Sequence, residues 1–114
     1  MTLNLVLLPQ WYQQVEAGIK TREYRDATPY YIRRLCNARH KGKCPLGDAL
    51  TDDECAMCFE KNLATWEAAP YDRVCFRLKQ SSATMTVPIK GIGLGKDVTG
   101  RKLFVISLEK SAKG

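Results

Sequence analysis

The feature of this sequence that most constrains its fold is a set of three segments rich in valine, isoleucine and phenylalanine. They cover residues 72–79, 84–94 and 102–110, with short polar stretches between them. β-Branched and aromatic side chains favour strands because they pack well on a pleated, half-buried surface. The second half of the chain is therefore predicted to form a small sheet with short connections.

The first part of the chain shows a strand followed by a short helix. Residues 3–8 (LNLVLL) have the length and apolar character of a buried strand. In the segment that follows, Trp11, Val15 and Ile19 are spaced four apart, so we expect all three on one face of a helix. Gly18 is placed to end that helix in a left-handed conformation. Residues 20–26 (KTREYRD) are then predicted to form a second strand.

Two further helix starts are visible. Thr28 is a suitable N-cap and Pro29 a suitable first helical residue. Thr51 and Glu54 have the spacing of a capping box, which predicts a short helix after them. Because most of the strands follow the helices, the class is α+β. We expect one small, bent or closed sheet of five or six strands with two or three short helices.

Length and composition fit one ordinary globular domain. The chain has 114 residues, of which 45% are hydrophobic and 26% are charged. No apolar segment approaches the roughly 20 residues of a membrane span, and the N-terminus lacks the basic region of a signal peptide. We therefore expect a single domain, residues 1–114, in a monomeric cytoplasmic protein with no membrane segment.

Residues 36–62 differ in composition from the rest and are predicted to be an insertion. They contain four of the five cysteines and the only histidine. Because the chain has no export signal, a disulfide framework is not expected. The remaining cysteine, Cys75, lies in a predicted strand, where we expect it to pack as a small apolar residue.

The cysteine spacing within this insertion is typical of a structural zinc site. Cys55 and Cys58 form a Cys-x2-Cys pair, which presents two thiolates to one ion, and Cys36 and Cys44 would complete the tetrahedron. The spacing of the first two cysteines is looser than usual, so His40 is an alternative ligand. Free thiols and a redox pair remain as other interpretations.

A basic segment overlaps the start of the insertion. Residues 33–43 include Arg33, Arg34, three further Lys or Arg and one His, with no acid, and the whole chain has a formal net charge of +6. This segment is either a solvated surface or a basic face for phosphate groups. In the second case Arg33 and Arg34 are ligand-binding candidates.

Residues 18–25 (GIKTREYR) follow the pattern Gly-x-Lys-x-x-Glu-x-Arg. With the preceding strand, the aromatic pair of WYQQVEAG and the closing strands, this pattern resembles the ASCH family of PUA-like domains. The resemblance covers most of the chain except the cysteine-rich insertion. It implies a small PUA-like β-barrel related to RNA-binding domains, with a cleft lined by the motif residues, here Gly18, Lys20, Glu23 and Arg25.

The chemistry of these residues agrees in part with the implied cleft. On a regular strand Glu23 and Arg25 point to the same face, where the carboxylate can orient the guanidinium toward a phosphate or a base. Tyr24, Tyr30 and Tyr31 could stack on bases. The alternative is structural: a Glu23–Arg25 salt bridge that closes one end of the barrel, with the tyrosines in the core.

Three functions are compatible with these features. The first is an RNA- or nucleotide-binding domain that uses the motif cleft and the basic segment. The second is an amidohydrolase acting on an acetylated cytidine nucleoside, with Lys20, Thr21 and Glu23 as candidate catalytic residues. One branch of the wider family has this activity, but it has a threonine where this chain has Glu23, so enzyme activity is uncertain and less favoured. The third is a protein-interaction module that uses the zinc-bound insertion.

Overall fold

The computed structural model describes residues 1–44, 47 and 51–109. Residues 45, 46, 48–50 and 110–114 lie outside the described residues, so the predicted insertion and the last predicted strand are described only in part. The described residues form five strands, β1 (Thr2–Leu7), β2 (Arg22–Asp26), β3 (Arg73–Leu78), β4 (Thr84–Lys96) and β5 (Lys102–Leu108), and four helices, α1 (Pro9–Glu16), α2 (Pro29–Leu35), α3 (Asn37–His40) and α4 (Asp52–Lys61).

The predicted helix starts are confirmed. The Thr28 hydroxyl accepts a hydrogen bond from the Tyr31 backbone N–H at 3.4 Å, one turn into α2. Thr51 and Glu54 form a complete capping box at the start of α4: the Glu54 backbone N–H donates to the Thr51 hydroxyl, and the Thr51 N–H donates to the Glu54 carboxylate, both at 3.2 Å. These bonds satisfy donors that have no partner within the helix.

Helix α1 ends as predicted, and the three residues expected on one of its faces differ in burial. Gly18 has φ of +75°, the left-handed conformation that glycine adopts without strain. Tyr12 and Val15 are buried, whereas Trp11 is 41% and Ile19 75% exposed. Of Trp11, Val15 and Ile19, only Val15 is therefore buried. Ile19 lies beyond the end of this two-turn helix, and Tyr12 is its second buried residue.

The five strands form one hydrogen-bonded sheet in the order β1-β3-β4-β5-β2. Strands β1 and β3 are parallel, with Leu3 opposite Val74 and Leu5 opposite Phe76, while β3 and β4 are antiparallel. The α+β class and the strand number agree with the prediction. Four helices are present in the described residues rather than two or three, because the single-turn helix α3 gave no periodic signal.

The helices of this chain are short. The longest, α4, has 10 residues. Within the ranges that the structure describes, no helix has the length and apolar character needed to cross a membrane.

Two compact units can be distinguished within the chain. The first contains Met1–Tyr24, Pro70–Gly93 and, among the described residues, 105–109. Its core consists of alternate side chains of β1, β3, β4 and β5 together with one face of α1. Its buried residues are Leu3, Leu5, Leu7, Tyr12, Val15, Val74, Phe76, Val87, Ile89, Ile106 and Leu108.

The second unit contains Arg25–Ala69 and Leu94–Phe104, apart from the residues that are not described. An aromatic cluster lies in its core, in which the ring of Phe59 is 5.0 Å from Trp66 and 6.1 Å from Phe104, measured between centroids. Ile32 and Leu35 of α2 are also buried here. The cluster therefore joins α4 to β5 and to the segment that follows α4.

We expect the substitution Phe59→Ala to destabilise the protein by roughly 3–5 kcal/mol, because it removes a fully buried ring and leaves a cavity beside two other aromatic rings. Met57→Ala is the matched control on the same helix, since Met57 is exposed and should change stability by no more than about 0.5 kcal/mol. Urea unfolding followed by circular dichroism measures both. Equal effects of the two substitutions would contradict the assigned core.

Candidate functional site

A groove in the first unit brings together residues of α1 and the start of β2. It encloses about 650 Å³ and is here called the Glu23 groove. The segment that enters β2 is fixed by a hydrogen bond from the Leu108 backbone N–H to the Thr21 carbonyl oxygen at 2.8 Å. The described lining residues are Trp11, Gln14, Lys20, Thr21, Arg22, Glu23 and Tyr24.

The carboxylate of Glu23 is the buried polar group of this groove. Burial alternates along β2, so Glu23 is only 5% exposed while Arg22 and Tyr24 on either side are exposed. Glu23 Oε1 accepts a hydrogen bond from the Tyr24 backbone N–H at 2.9 Å and lies 3.5 Å from Lys20 Nζ. A buried carboxylate needs such partners, since removing its charge from water costs free energy.

Lys20 connects the carboxylate to an aromatic ring. Its Nζ lies 4.6 Å from the centroid of the Trp11 ring, within the range of a cation–π interaction. Trp11 nevertheless remains 41% exposed and Tyr24 48% exposed. The groove therefore presents two accessible aromatic side chains together with one ammonium and one buried carboxylate.

Gly18 positions Lys20 in this groove through the conformation of the backbone. Because it takes the left-handed conformation, the chain reverses directly after α1, and the backbone N–H groups of Ile19 and Lys20 both donate to the Gln14 carbonyl oxygen, at 3.0 and 3.1 Å. This turn returns Lys20 to the helix that carries Trp11. The position of Lys20 over the ring thus depends on the helix stop that the sequence indicated.

Tyr12 fixes the orientation of α1. Its side chain is buried while that of the preceding residue, Trp11, faces solvent. Burial raises the pKa of the Tyr12 hydroxyl above its ordinary value, and the carboxylate of Glu16 and the thiol of Cys75 add to this shift. The neutral form of Tyr12 is therefore the one compatible with the fold.

Arg25, the last residue of the motif, belongs to the second unit. It is half-buried, and its Nη1 donates to the Tyr31 hydroxyl at 3.3 Å while its guanidinium carbon lies 5.9 Å from the centroid of the same ring. Tyr30, in contrast, is 54% exposed. The alternative in which the tyrosines fill the core does not hold for Tyr24 and Tyr30.

A second groove lies within the second unit, between α2, α3 and the start of α4. It encloses about 480 Å³ and is here called the arginine groove. Arg33 Nη1 is 3.3 Å from Asp52 Oδ1, and Arg34 Nη1 donates to the Tyr30 hydroxyl at 3.3 Å. The described lining residues are Tyr30, Arg33, Arg34, Arg39, His40 and Asp52.

The four cysteines of the insertion are distributed around the same helices. Cys36 lies between α2 and α3, Cys44 follows α3, and Cys55 and Cys58 are one turn apart on α4. Burial raises the pKa of the Cys55 thiol; Cys44 and Cys36 also raise this pKa, whereas Arg39 and Arg33 lower it.

No arrangement of three or more possible metal ligands is found among the residues that the structure describes. The zinc site therefore stays a prediction. The alternative ligand His40 has its Nε2 within 3.1 Å of the Arg34 carbonyl oxygen, and Cys75 is half-buried in β3.

Sequence reasoning missed several lining residues. Trp11 was recognised only as part of a helix face, and Gln14 gave no signal. Arg39 was recognised only as part of the basic segment, and Asp52 only as part of a helix start. The aromatic pair indicates that only one of Trp11 and Tyr12 can lie on a narrow buried face, but it does not indicate which one. The role of Asp52 could not be found from the sequence, because its contact with Arg33 joins residues 19 positions apart.

Comparisons with known proteins do not assign this chain to a family. No family model matches its sequence, and neither characterised proteins nor solved structures show a significant match. The function is therefore inferred from the chemistry of the two grooves and from the sequence pattern.

We expect the stability of the protein to fall in alkaline solution partly through Tyr12. Because the folded-state pKa is raised, the stabilisation is complete below the unfolded value of about 10 and is lost as pH rises through the folded value. Tyr12→Phe should show a smaller loss of unfolding free energy between about pH 8 and 11 in urea titrations. The same loss in both proteins would exclude Tyr12 as a contributor.

Proposed function

We propose that this protein is an RNA- or nucleotide-binding domain that holds a base in the Glu23 groove. The observation that carries the proposal is the buried Glu23 carboxylate, accompanied by Lys20 and by the exposed rings of Trp11 and Tyr24. Aromatic side chains at a groove are typical platforms for unstacked bases. A hydrophobic pocket alone would not require the carboxylate.

The carboxylate defines which edge of a base the groove recognises. An ionised carboxylate only accepts hydrogen bonds, so it selects bases that present N–H donors, above all the exocyclic amino groups of cytosine, adenine and guanine. Uracil has no exocyclic amino group. Glu23 Oε1 accepts a hydrogen bond from the Tyr24 backbone N–H, and this bond fixes the orientation of the carboxylate before a base binds.

Lys20 is proposed to contact the phosphate of the bound nucleotide. Its ammonium is 3.5 Å from the carboxylate and has three donors, so it can contact a phosphate while it stays beside Glu23. The Gly-x-Lys-x-x-Glu-x-Arg pattern supports this assignment through its resemblance to the ASCH family. By the same resemblance we propose a PUA-like barrel and, within the second unit, a ligand-binding role for Arg25.

We expect short single-stranded oligo-C or oligo-A to bind more tightly than oligo-U in fluorescence titrations of the tryptophans. Trp11→Ala should weaken binding by about 1–3 kcal/mol through lost stacking. Lys20→Ala should weaken it and reduce the slope of log affinity against log salt by about 0.7. Lys90→Ala is the control, because Lys90 is exposed, carries the same charge and does not line the groove.

Two further results decide the proposal. Glu23→Gln, which adds a donor to the same shape, should remove the preference over oligo-U. Binding that is unchanged in the Trp11 and Lys20 variants, in protein whose thermal unfolding is normal, would exclude the groove. Turnover of an acetylated cytidine nucleoside that Lys20→Ala abolishes would instead favour the amidohydrolase interpretation.

We also propose one structural zinc ion in the insertion, held by Cys36, Cys44, Cys55 and Cys58. Two observations support it: Cys55 and Cys58 face the same side of α4 one turn apart, and Cys36 and Cys44 are close enough to Cys55 to act on its charge. Such an ion would join α3 and its flanking segments to α4.

We expect elemental analysis of protein purified without a histidine tag to give one zinc per chain. Cys58→Ser should lower the zinc content and the affinity strongly, because a tetrahedral site loses one of its four thiolates. Cys75→Ser is the control, since Cys75 lies in strand β3 and should leave the zinc content unchanged. A metal content near zero, with all five thiols reactive in the folded protein, would overturn the zinc assignment.

A further inference from the structure

The arginine groove has a strong excess of positive charge. Three guanidinium groups, those of Arg33, Arg34 and Arg39, line it together with one carboxylate, that of Asp52, so the lining carries a net +2 with His40 neutral. All three arginines come from two very short helices, α2 and α3, that follow one another directly. Like charges held this close repel one another, which costs free energy unless an anion offsets them.

Two of the three arginines have side-chain partners, and the third, Arg39, is available to bind an anion. Arg33 is paired with Asp52 at 3.3 Å, and Arg34 is held against Tyr30, both by the hydrogen bond to its hydroxyl and by a contact of 5.9 Å with its ring. For Arg39, no acceptor of a side-chain hydrogen bond and no ion-pair partner is found among the described residues, although the guanidinium is close enough to Cys55 to lower the pKa of that thiol.

The volume of the groove is that of a small-molecule site. Its volume of about 480 Å³ lies within the range of small-molecule sites, and its charged groups converge from separate helices. Guanidinium groups are planar, always charged and arranged as forks that bind two phosphate oxygens at once. The exposed ring of Tyr30 adds a flat surface at the edge.

We propose that the arginine groove binds a terminal phosphate group, that is, a phosphate monoester or pyrophosphate. The net charge of the lining favours a terminal phosphate over an internal phosphodiester. A phosphate monoester carries close to two negative charges at neutral pH and pyrophosphate carries more, whereas an internal phosphodiester carries one. Asp52 competes with a phosphate for Arg33, because its carboxylate accepts a hydrogen bond from Arg33 Nη1 when no phosphate is bound. The proposal does not rest on base binding in the Glu23 groove.

Isothermal titration with pyrophosphate at low salt tests the site. Arg39→Ala should weaken binding about tenfold or more, since it removes a charge-assisted contact. Lys41→Ala is the matched control. Lys41 lies two residues after Arg39 and carries the same charge, but its side chain is exposed and does not line the groove. This substitution should change the affinity less than about twofold. Asp52→Asn should strengthen binding several-fold, an effect that a misfolded protein could not produce.

A second titration separates the sources of phosphate. A trinucleotide RNA with a 5′-phosphate should bind more tightly than the same RNA with a 5′-hydroxyl, and Arg39→Ala should abolish the difference. Lys20→Ala should retain pyrophosphate binding, so loss of the Glu23 groove and loss of this site are distinguishable. Equal binding of both RNAs would overturn the assignment to a terminal phosphate. Equal effects of Arg39→Ala and Lys41→Ala, or no gain in Asp52→Asn, would overturn the site itself.

Discussion

A buried carboxylate and its lysine partner determine the chemistry of the Glu23 groove. Among the described residues, Glu23 is the only charged side chain that is buried. At 3.5 Å and an effective dielectric constant of about 20, attraction to Lys20 amounts to about 5 kcal/mol, which is of the same order as the cost of removing the two charges from water. Replacing Glu23 alone would leave the Lys20 ammonium without its carboxylate partner, whereas replacing both residues by apolar ones of similar volume is often neutral for stability. The ion pair is therefore weak evidence for a purely structural role, and this favours the ligand-recognition role proposed above.

Local features of the fold were predictable because they depend on interactions between residues close in sequence. The caps at Thr28 and Thr51 and the stop at Gly18 are each set by one or two side chains within a single turn. The strands were predictable from their β-branched residues. The buried face of α1 was not, because a helix of 8 residues has too few apolar positions to define a face, and Trp11 and Tyr12 satisfy similar patterns. The contacts with the rest of the first unit decide between them.

The candidate sites were predictable only as residue types. The sequence pattern selected Lys20, Glu23 and Tyr24, which the structure places in one groove. It also selected Tyr30, Arg33 and Arg34, which line a different groove together with Arg39. Nothing in the linear pattern separates these two sets, because the separation depends on how α2, α3 and α4 pack. The contact between Arg33 and Asp52 is an example: it forms only because α2 packs on α4.

The two grooves differ in the chemistry that they can recognise, and the difference follows from which charged group is held in place. In the Glu23 groove, which Lys20 and Arg22 both line, the held group is the buried carboxylate, so the ligand group that we propose is a donor edge of a base. In the arginine groove the fixed elements are donors, held by Tyr30 and Asp52, and the complementary ligand must be an acceptor with more than one oxygen. A nucleotide contains both kinds of group, a base edge and a phosphate.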